Sequence, residues 1–574
     1  MILVFPESEK KTTTASEDFK SNVKDGFRYV DKTGILIPLL NREHETTFFL
    51  RPRRFGKTLT LSMIRYFVED TRDEKLNAEN RELFQGLNIL AAGEKYIQQM
   101  TSYPVINLTL QTVKDLKLKD AIEILEGVIQ DEYNEKSYLL NSDALTDTDK
   151  SYFRRILDGY DPRGKKTSRA DYKRSLKKLT EFLRKDSGRK AVVLIDEYDV
   201  PLESAYQNGY YRQMVNMVGP LLQNVLKSNS VNLQFAVVTG CLRIAKEGIY
   251  TGLNNLEVNT VLSDHLSEAI GFTDEEVKKL LMDSGFPERY QQVKDWYDGY
   301  RFGESTIYNP WSVIKHIEAL SANAERKPQA HWANTSENAI IRELVEPVDS
   351  ETREKMDRLM QGGEICFKFR DDIVYNELYD DPANVLNVML SAGYLTATAF
   401  DGRNVTARIP NREVLQIFED QISGWFNESI KSFDVKGLYA AMEKGNTERI
   451  EQILTDEFLS AMSYYESVEA FYHGVLLALM QLNTDFVCDS NRGSGKGRFD
   501  LVAKRRTGWD LAFVVEVKIS KNSARMLPDA QRGSEQIWKK AYTKSLQREG
   551  YKRIMTYGIA FCEKRCRVIQ GETL

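Results

Sequence analysis

Residues 46–70 read TTFFLRPRRFGKTLTLSMIRYFVED. An apolar, β-prone run from Thr46 to Leu50 enters a short basic loop that ends in Gly56-Lys57-Thr58. An amphipathic helix then leaves with Leu61, Ile64, Phe67 and Val68 on one side. Strand, loop and helix in that order are what holding a nucleotide triphosphate requires, because backbone N–H groups at the helix N-terminus face the phosphates. In this reading Arg54, Phe55 and Gly56 shape the loop, Lys57 reaches the β/γ oxygens and the Thr58 hydroxyl sits on Mg²⁺. The pattern G-x-x-x-x-G-K-[ST] calls for glycine where this chain has Arg51, and an isolated GKT is more often an ordinary turn.

A partner motif changes that balance. Ala191 to Pro201 reads AVVLIDEYDVP, a continuous apolar run that suits a strand buried on both faces of a parallel sheet. It ends in Asp196-Glu197. At such a strand end Asp196 can coordinate Mg²⁺ and Glu197 can activate water. Either motif alone is weak; together they point to a P-loop NTPase.

At 574 residues the chain predicts roughly three or four domains. Its 42% hydrophobic and 28% charged content is that of an ordinary globular protein. A net charge of -5 excludes a protein that coats nucleic acid over its whole surface, while permitting local basic patches. Five cysteines without a CxxC pair and five scattered histidines argue against a zinc site or a disulfide framework, and for a reducing cytoplasmic setting. No segment reads as a signal peptide or approaches the ~20 apolar residues of a membrane span.

Before the loop strand, Phe27 to Leu40 (FRYVDKTGILIPLL) predicts a turn and an apolar helix. YVDKT followed by RPRRFGKTL resembles the AAA-ATPase-like family of bacterial and archaeal proteins, in which the arginine at the first glycine position is usual and a C-terminal nuclease-like domain is often fused. Tyr103 to Leu110 predicts another sheet strand, and Val231 to Val238 a further one, followed by Thr239-Gly240 and Arg243. The resemblance supports Thr239 as a γ-phosphate sensor and Arg243 as a charge stabiliser; a plain strand-end turn with a surface arginine weighs equally. Trp296, Tyr297, Tyr300, Tyr308 and Trp311 could stack bases, but a small helical or winged-helix lid core accounts for them better. The family resemblance runs on through WYDGY, YNPWS and HWANTS.

A second chemical centre lies near the C-terminus. In FVVEVKIS, Phe513, Val515, Val517 and Ile519 share one strand face while Glu516 and Lys518 share the other. GRFDLVAKRRTGWD predicts the other half of a hairpin turning near Thr507-Gly508, and pairing symmetric about Gly508 sets Asp500 opposite Glu516. Two such close carboxylates suit a divalent cation, Mg²⁺ or Mn²⁺, with Lys518 orienting the attacking water. Taken alone, D-x₁₅-E-x-K fits a hairpin with cross-strand charge pairs slightly better. A preceding helix places Glu469 and His473 one turn apart, and a following one carries Gln536 with Lys539, Lys540 and Lys544, suited to phosphates. This order resembles the PD-(D/E)XK nuclease superfamily. The resemblance implies Asp500 and Glu516 as metal ligands, Lys518 as catalytic, and Glu469 and Gln536 as accessory.

The expected fold is α/β: tail 1–20, P-loop domain with a parallel sheet 21–270, lid 271–345, connecting α+β region 346–455 and nuclease-like domain 456–574. The expected function is an ATP-binding and hydrolysing protein coupled to a metal-dependent nuclease. Its expected ligands are ATP and Mg²⁺ or Mn²⁺, its partner a nucleic acid, DNA foremost, with homo-oligomers allowed and no membrane. The alternative is a regulatory STAND-type ATPase whose C-terminal domain binds nucleic acid or partners without cutting.

Overall fold

The computed structural model describes residues 16–161, 163–242, 255–332, 355, 358–360, 362–370, 382–419, 434–455, 469–490, 501–507, 510–539, 543–562 and 565–573. The chain divides into two compact units, residues 1–347 with 364–415, and residues 348–363 with 416–574.

The first unit is built on five strands: β1 (Thr46–Leu50), β2 (Val105–Thr109), β3 (Ala191–Asp196), β4 (Leu233–Gly240) and β5 (Leu256–Asn259). Their order is β2-β3-β4-β1-β5 and every pairing is parallel. β1 and β3 are buried along their whole length, which explains their unbroken apolar runs. Helices α1 (Lys57–Val68), α2 (Leu118–Glu135), α3 (Asp147–Asp158), α4 (Arg169–Ser187) and α5 (Tyr211–Leu226) belong to this layer. Leu125, Ile129, Leu176, Leu179, Leu221 and Val225 from three of them join Val193 and Ile195 of β3 in one core. The predicted strand at Val231–Val238 begins two residues later, at Leu233, which brings Thr239 and Gly240 into β4. Phe49 then pairs with Thr239 and Ile195 with Val238, so the phosphate loop, the acidic pair and Thr239 share the carboxyl end of the sheet.

The stretch expected to form a lid contains β6 (Phe272–Thr273), α6 (Asp274–Asp283), α7 (Tyr290–Tyr297), β7 (Tyr300–Phe302), β8 (Ser305–Tyr308) and α8 (Pro310–Ala322). The strands make a small antiparallel sheet in the order β6-β8-β7. Tyr297, Tyr300 and Tyr308 are fully buried, and Trp296 packs against the core that includes Tyr297 and Tyr308. Trp311 has a different role, described below.

The stretch expected to connect the domains divides between the two units. β9 (Ile365–Lys368), α9 (Pro382–Ala392), β10 (Thr396–Phe400) and β11 (Asn404–Arg408) belong to the first. Arg301 of β7 ties them in: its backbone N–H donates to Thr396 Oγ1 at 2.8 Å and its guanidinium to the Thr398 carbonyl at 2.6 Å. α10 (Val435–Lys444) belongs to the second unit, where Leu438 and Met442 pack with Phe513 and Val515.

That second unit contains α11 (Glu469–Gln481), β12 (Phe486–Ser490), β13 (Leu501–Arg505), β14 (Leu511–Ile519), α12 (Met526–Lys539), β15 (Arg553–Cys562) and β16 (Arg565–Gln570). The strands follow the order β12-β13-β14-β15-β16, with β14–β15 the parallel pair in an otherwise antiparallel sheet. β14 is central, not one arm of a half-exposed hairpin. Phe513, Val515 and Val517 fill the larger core, while Ala512 and Val514 on the opposite face pack with Ile537 of α12.

Candidate nucleotide and nuclease sites

In the first unit, β1 delivers its loop to a cavity of about 900 Å³ that Gly56, Lys57 and Thr58 line. Gly56 takes φ 95° at the helix N-terminus, a conformation only glycine adopts without strain. Lys57 is 3% exposed. Its Nζ donates to the carbonyls of Arg51 and Pro52 at 3.2 and 3.3 Å, and lies 3.4 Å from Glu197 Oε1. Burial opposes its charge, but the carboxylates of Glu197, Asp199 and Asp196 help to outweigh it and raise its pKa. Burial pushes the Cys241 thiol up to about 12.

Asp196 collects two hydroxyls. Thr58 Oγ1 donates to its Oδ2 at 2.7 Å and Thr239 Oγ1 donates to its Oδ1. Burial, then the neighbouring Glu197, pushes the Asp196 carboxyl up. Glu197 and Arg54 both hold positive φ, 51° and 67°, local strain of the kind that gathers at functional loops. Arg243 lies outside the described residues.

Arg51 does not enter the loop's concave face. Its fully buried guanidinium donates to the carbonyls of Leu50, Asn259 and Thr260 and stacks 4.7 Å from the Phe302 ring centroid. The arginine that replaces the first glycine thus fastens β1 to the end of β5 and to β7.

Beside the expected Arg54 and Phe55, the cavity is lined by Asp199, Trp332 and Tyr394, which the sequence did not single out as site residues. Arg54 lies 4.1 Å over the Trp311 ring, and Trp332 meets Tyr394 ring to ring at 4.9 Å. Asp199 accepts from the backbone N–H groups of Cys241 and Leu242 at 2.8 and 2.9 Å. Phe55 lines the cavity but packs its ring edge-on against Tyr300, at 4.9 Å.

In the second unit, the β13–β14 register runs Leu501↔Val515, Val502↔Val514, Ala503↔Phe513, which is the pairing symmetric about position 508. Asp500 itself lies outside the described residues, as does the side chain of Glu469, which opens α11. The side chains of Lys539, Lys540 and Lys544 are likewise outside them. Glu516, Lys518 and Gln536 converge. Glu516 is 1% exposed, and its Oε1 accepts from Lys518 Nζ at 3.2 Å and from Gln536 Nε2. His473 is buried within α11.

Close packing makes this convergence possible. A Cβ on Gly558, which pairs with Glu516, would lie 2.0 Å from the Ala530 carbonyl of α12. Only glycine there lets the helix approach near enough for Gln536 to reach Glu516.

Among the described residues no three His, Cys, Asp or Glu side chains form a preformed metal cage. Asp196 with the Thr58 hydroxyl is an oxygen donor set of the sparse kind that Mg²⁺ uses, with one or two carboxylates and the rest supplied by water and phosphate. Among the same residues no helix is long and apolar enough to cross a membrane.

Residues 14–250 match the family described as "Predicted AAA-ATPase", and residues 467–571 match the PD-(D/E)XK nuclease superfamily. "Uncharacterized protein in vnfD 5'region" of Azotobacter chroococcum mcd 1 is 26% identical over 340 residues, 59% of this chain. The match spans 56% of that relative's length. The chain therefore joins an AAA-ATPase-like domain to a PD-(D/E)XK nuclease superfamily domain, in that order.

Proposed function

We propose that the chain is an ATP-driven, divalent-metal-dependent nuclease that hydrolyses phosphodiester bonds, with DNA as its substrate. The observation that carries this reading is the meeting of Lys518 and Gln536 on one buried carboxylate, Glu516. Asp500, the residue before Leu501 in the sequence, supplies the second carboxylate in this reading, and Glu469 supports the pair. Oxygen donors of this kind suit Mg²⁺ or Mn²⁺, which when bound neutralises charge developing on the phosphate. Lys518 orients the attacking water and stabilises the same charge, and Gln536 fixes the rotamer of Glu516.

In the first unit Lys57 holds the β/γ phosphates, with the backbone of Arg54, Phe55 and Gly56 around them. Thr58 and Asp196 are the residues that would hold Mg²⁺, and Glu197 accepts a proton from the attacking water. Thr239 senses the γ-phosphate and Arg243 stabilises its charge. Control of foreign or mobile DNA is the cellular role we infer, by analogy of architecture.

The test is a plasmid and oligonucleotide cleavage assay with Mg²⁺ or Mn²⁺, with and without ATP. Cleavage lost in Lys518→Ala and in Asp500→Ala supports the reading; cleavage that persists in both overturns it.

A further inference from the structure

The sequence from Lys518 to Arg532 leaves β14 beside Glu516 and turns into α12. It carries Lys518, Lys521, Arg525 and Arg532 against one carboxylate, Asp529, in a chain of net charge -5. A surface that is merely solvated mixes both signs. Between Lys518 and Arg532 the charges open to solvent are all positive, because the one carboxylate is buried; the exposed Glu535 lies one turn beyond Arg532.

Asp529 is buried and joins two elements. Ser520 Oγ donates to Asp529 Oδ2 at 2.7 Å, and Arg532 donates to Oδ1. The Ser520 backbone N–H donates to the Phe561 carbonyl at 2.8 Å, so the turn is anchored to β15 as well. The Arg532 side chain remains 70% exposed while Asp529 is 5% exposed. A buried carboxylate bonded on both oxygens thus holds a guanidinium outward in one orientation.

That orientation lies beside the candidate catalytic end of β14. Asp529, Arg532, Gly533 and Gln536 are spaced three and four apart, on one stripe of α12. The stripe follows Ser520, Lys518 and Glu516: Asp529 meets Ser520, Gln536 meets Glu516, and a Cβ on Gly533 would lie 3.5 Å from Lys518 Cγ. Ahead of it Lys521 and Arg525 are exposed, and neither has an ion-pair partner among the described residues. The Asn522 side chain caps the Arg525 backbone N–H at 3.2 Å, which keeps this turn in place.

We propose that Arg532, Lys521 and Arg525 form the track that grips the substrate's phosphodiester backbone, with Arg532 as a planar fork on one phosphate and Asp529 as its positioning residue. The inference rests on reading the second unit as a nucleic-acid site. An oriented guanidinium suits two phosphate oxygens, whereas the lysine and the second arginine add charge along the strand.

The test measures binding, not cleavage. The full-length chain is titrated against fluorescent duplex DNA, single-stranded DNA and RNA of equal length, with EDTA present, over a range of salt. Arg532→Ala should weaken binding about tenfold, and the slope of log K against log salt should become shallower by about 0.9 for duplex or about 0.7 for a single strand. Lys521→Ala with Arg525→Ala should lower the slope by about twice that amount. Arg532→Lys should keep most of the slope and lose affinity, because charge remains while the fork is gone. Asp529→Asn should weaken binding without changing the slope.

Unchanged affinity and slope in the alanine variants, with circular dichroism and thermal midpoints like the parent's, overturn the proposal. A parent chain that binds none of the three nucleic acids does so too. A chain that binds through these residues and cuts nothing leaves the track standing and removes only the cleavage reading.

Discussion

Lys57 Nζ stands 3.4 Å from Glu197 Oε1, although one residue opens the helix after β1 and the other follows the end of β3. The ammonium a triphosphate needs is thus already engaged by the carboxylate proposed to activate water, so an arriving phosphate competes with Glu197.

Lys57→Ala should lower ATP affinity by about a hundredfold, since one charged donor to developing or resting phosphate charge is lost. Glu197→Gln should retain binding and lose turnover by a factor on the order of 10² to 10⁴. Calorimetric titration with ATP and a phosphate-release assay separate the two. Equal loss of binding in both variants would sink the division of roles.

Restoring the glycine of the usual phosphate-loop pattern should harm this protein. Arg51→Gly removes a fully buried guanidinium bonded to the Asn259 carbonyl at 3.0 Å and to the neighbouring carbonyls of Leu50 and Thr260. The expected loss is roughly 3 kcal/mol, from orphaned acceptors and the cavity left behind. Urea unfolding of parent and variant measures it, and a variant as stable as its parent contradicts the anchoring role.

Glu413 sets a pH dependence. Its Oε1 accepts from Ser312 Oγ and from the Trp332 backbone N–H, both at 2.9 Å, and burial pushes its carboxyl from 4.5 up to about 7. A value raised on folding means that its stabilising share is fully present below about pH 4.5 and is lost as pH rises through about 7. The loss is on the order of 3 kcal/mol. Glu132, also raised to about 7 by burial, acts in the same direction. Glu413→Gln should flatten the fall in thermal midpoint between pH 5 and 8 by its own share; an unchanged profile rules that share out.

Gly558→Ala should lift α12 from β15. The added methyl would stand 2.0 Å from the Ala530 carbonyl, and overpacking against backbone costs about 1–3 kcal/mol. Gln536 then loses Glu516, so the proposed cleavage should fall by more than stability alone explains. A crystal structure of the variant with α12 unmoved would refute the packing argument.

Much of this site was readable in order along the chain. Each candidate motif sits on a regular element whose period exposes it: an apolar strand before GKT, another before Asp196-Glu197, and alternation in FVVEVKIS. The β13–β14 register followed from the turn position, because an antiparallel pair is determined by where it reverses. Trp311 was not readable as a cavity residue. Its indole carries the same signal as the core aromatics beside it, and only the position of Arg54 over its ring separates them. Nor was the division of 346–455 readable, since its halves are assigned by contacts with residues far away in the chain, such as Arg301 with Thr398 and Met442 with the β14 core.

By itself the sequence determined the local chemistry: which strands are buried, where the phosphate loop turns, and which residues lie on the face of Glu516 and Lys518. Those depend on period and on the conformations that neighbouring residues allow. Tertiary structure alone decided that Arg51 serves as an anchor and that Gly558 admits α12 to the strand. Each is a contact between elements distant in sequence, set by how helices and strands close-pack, and no local pattern encodes such a meeting.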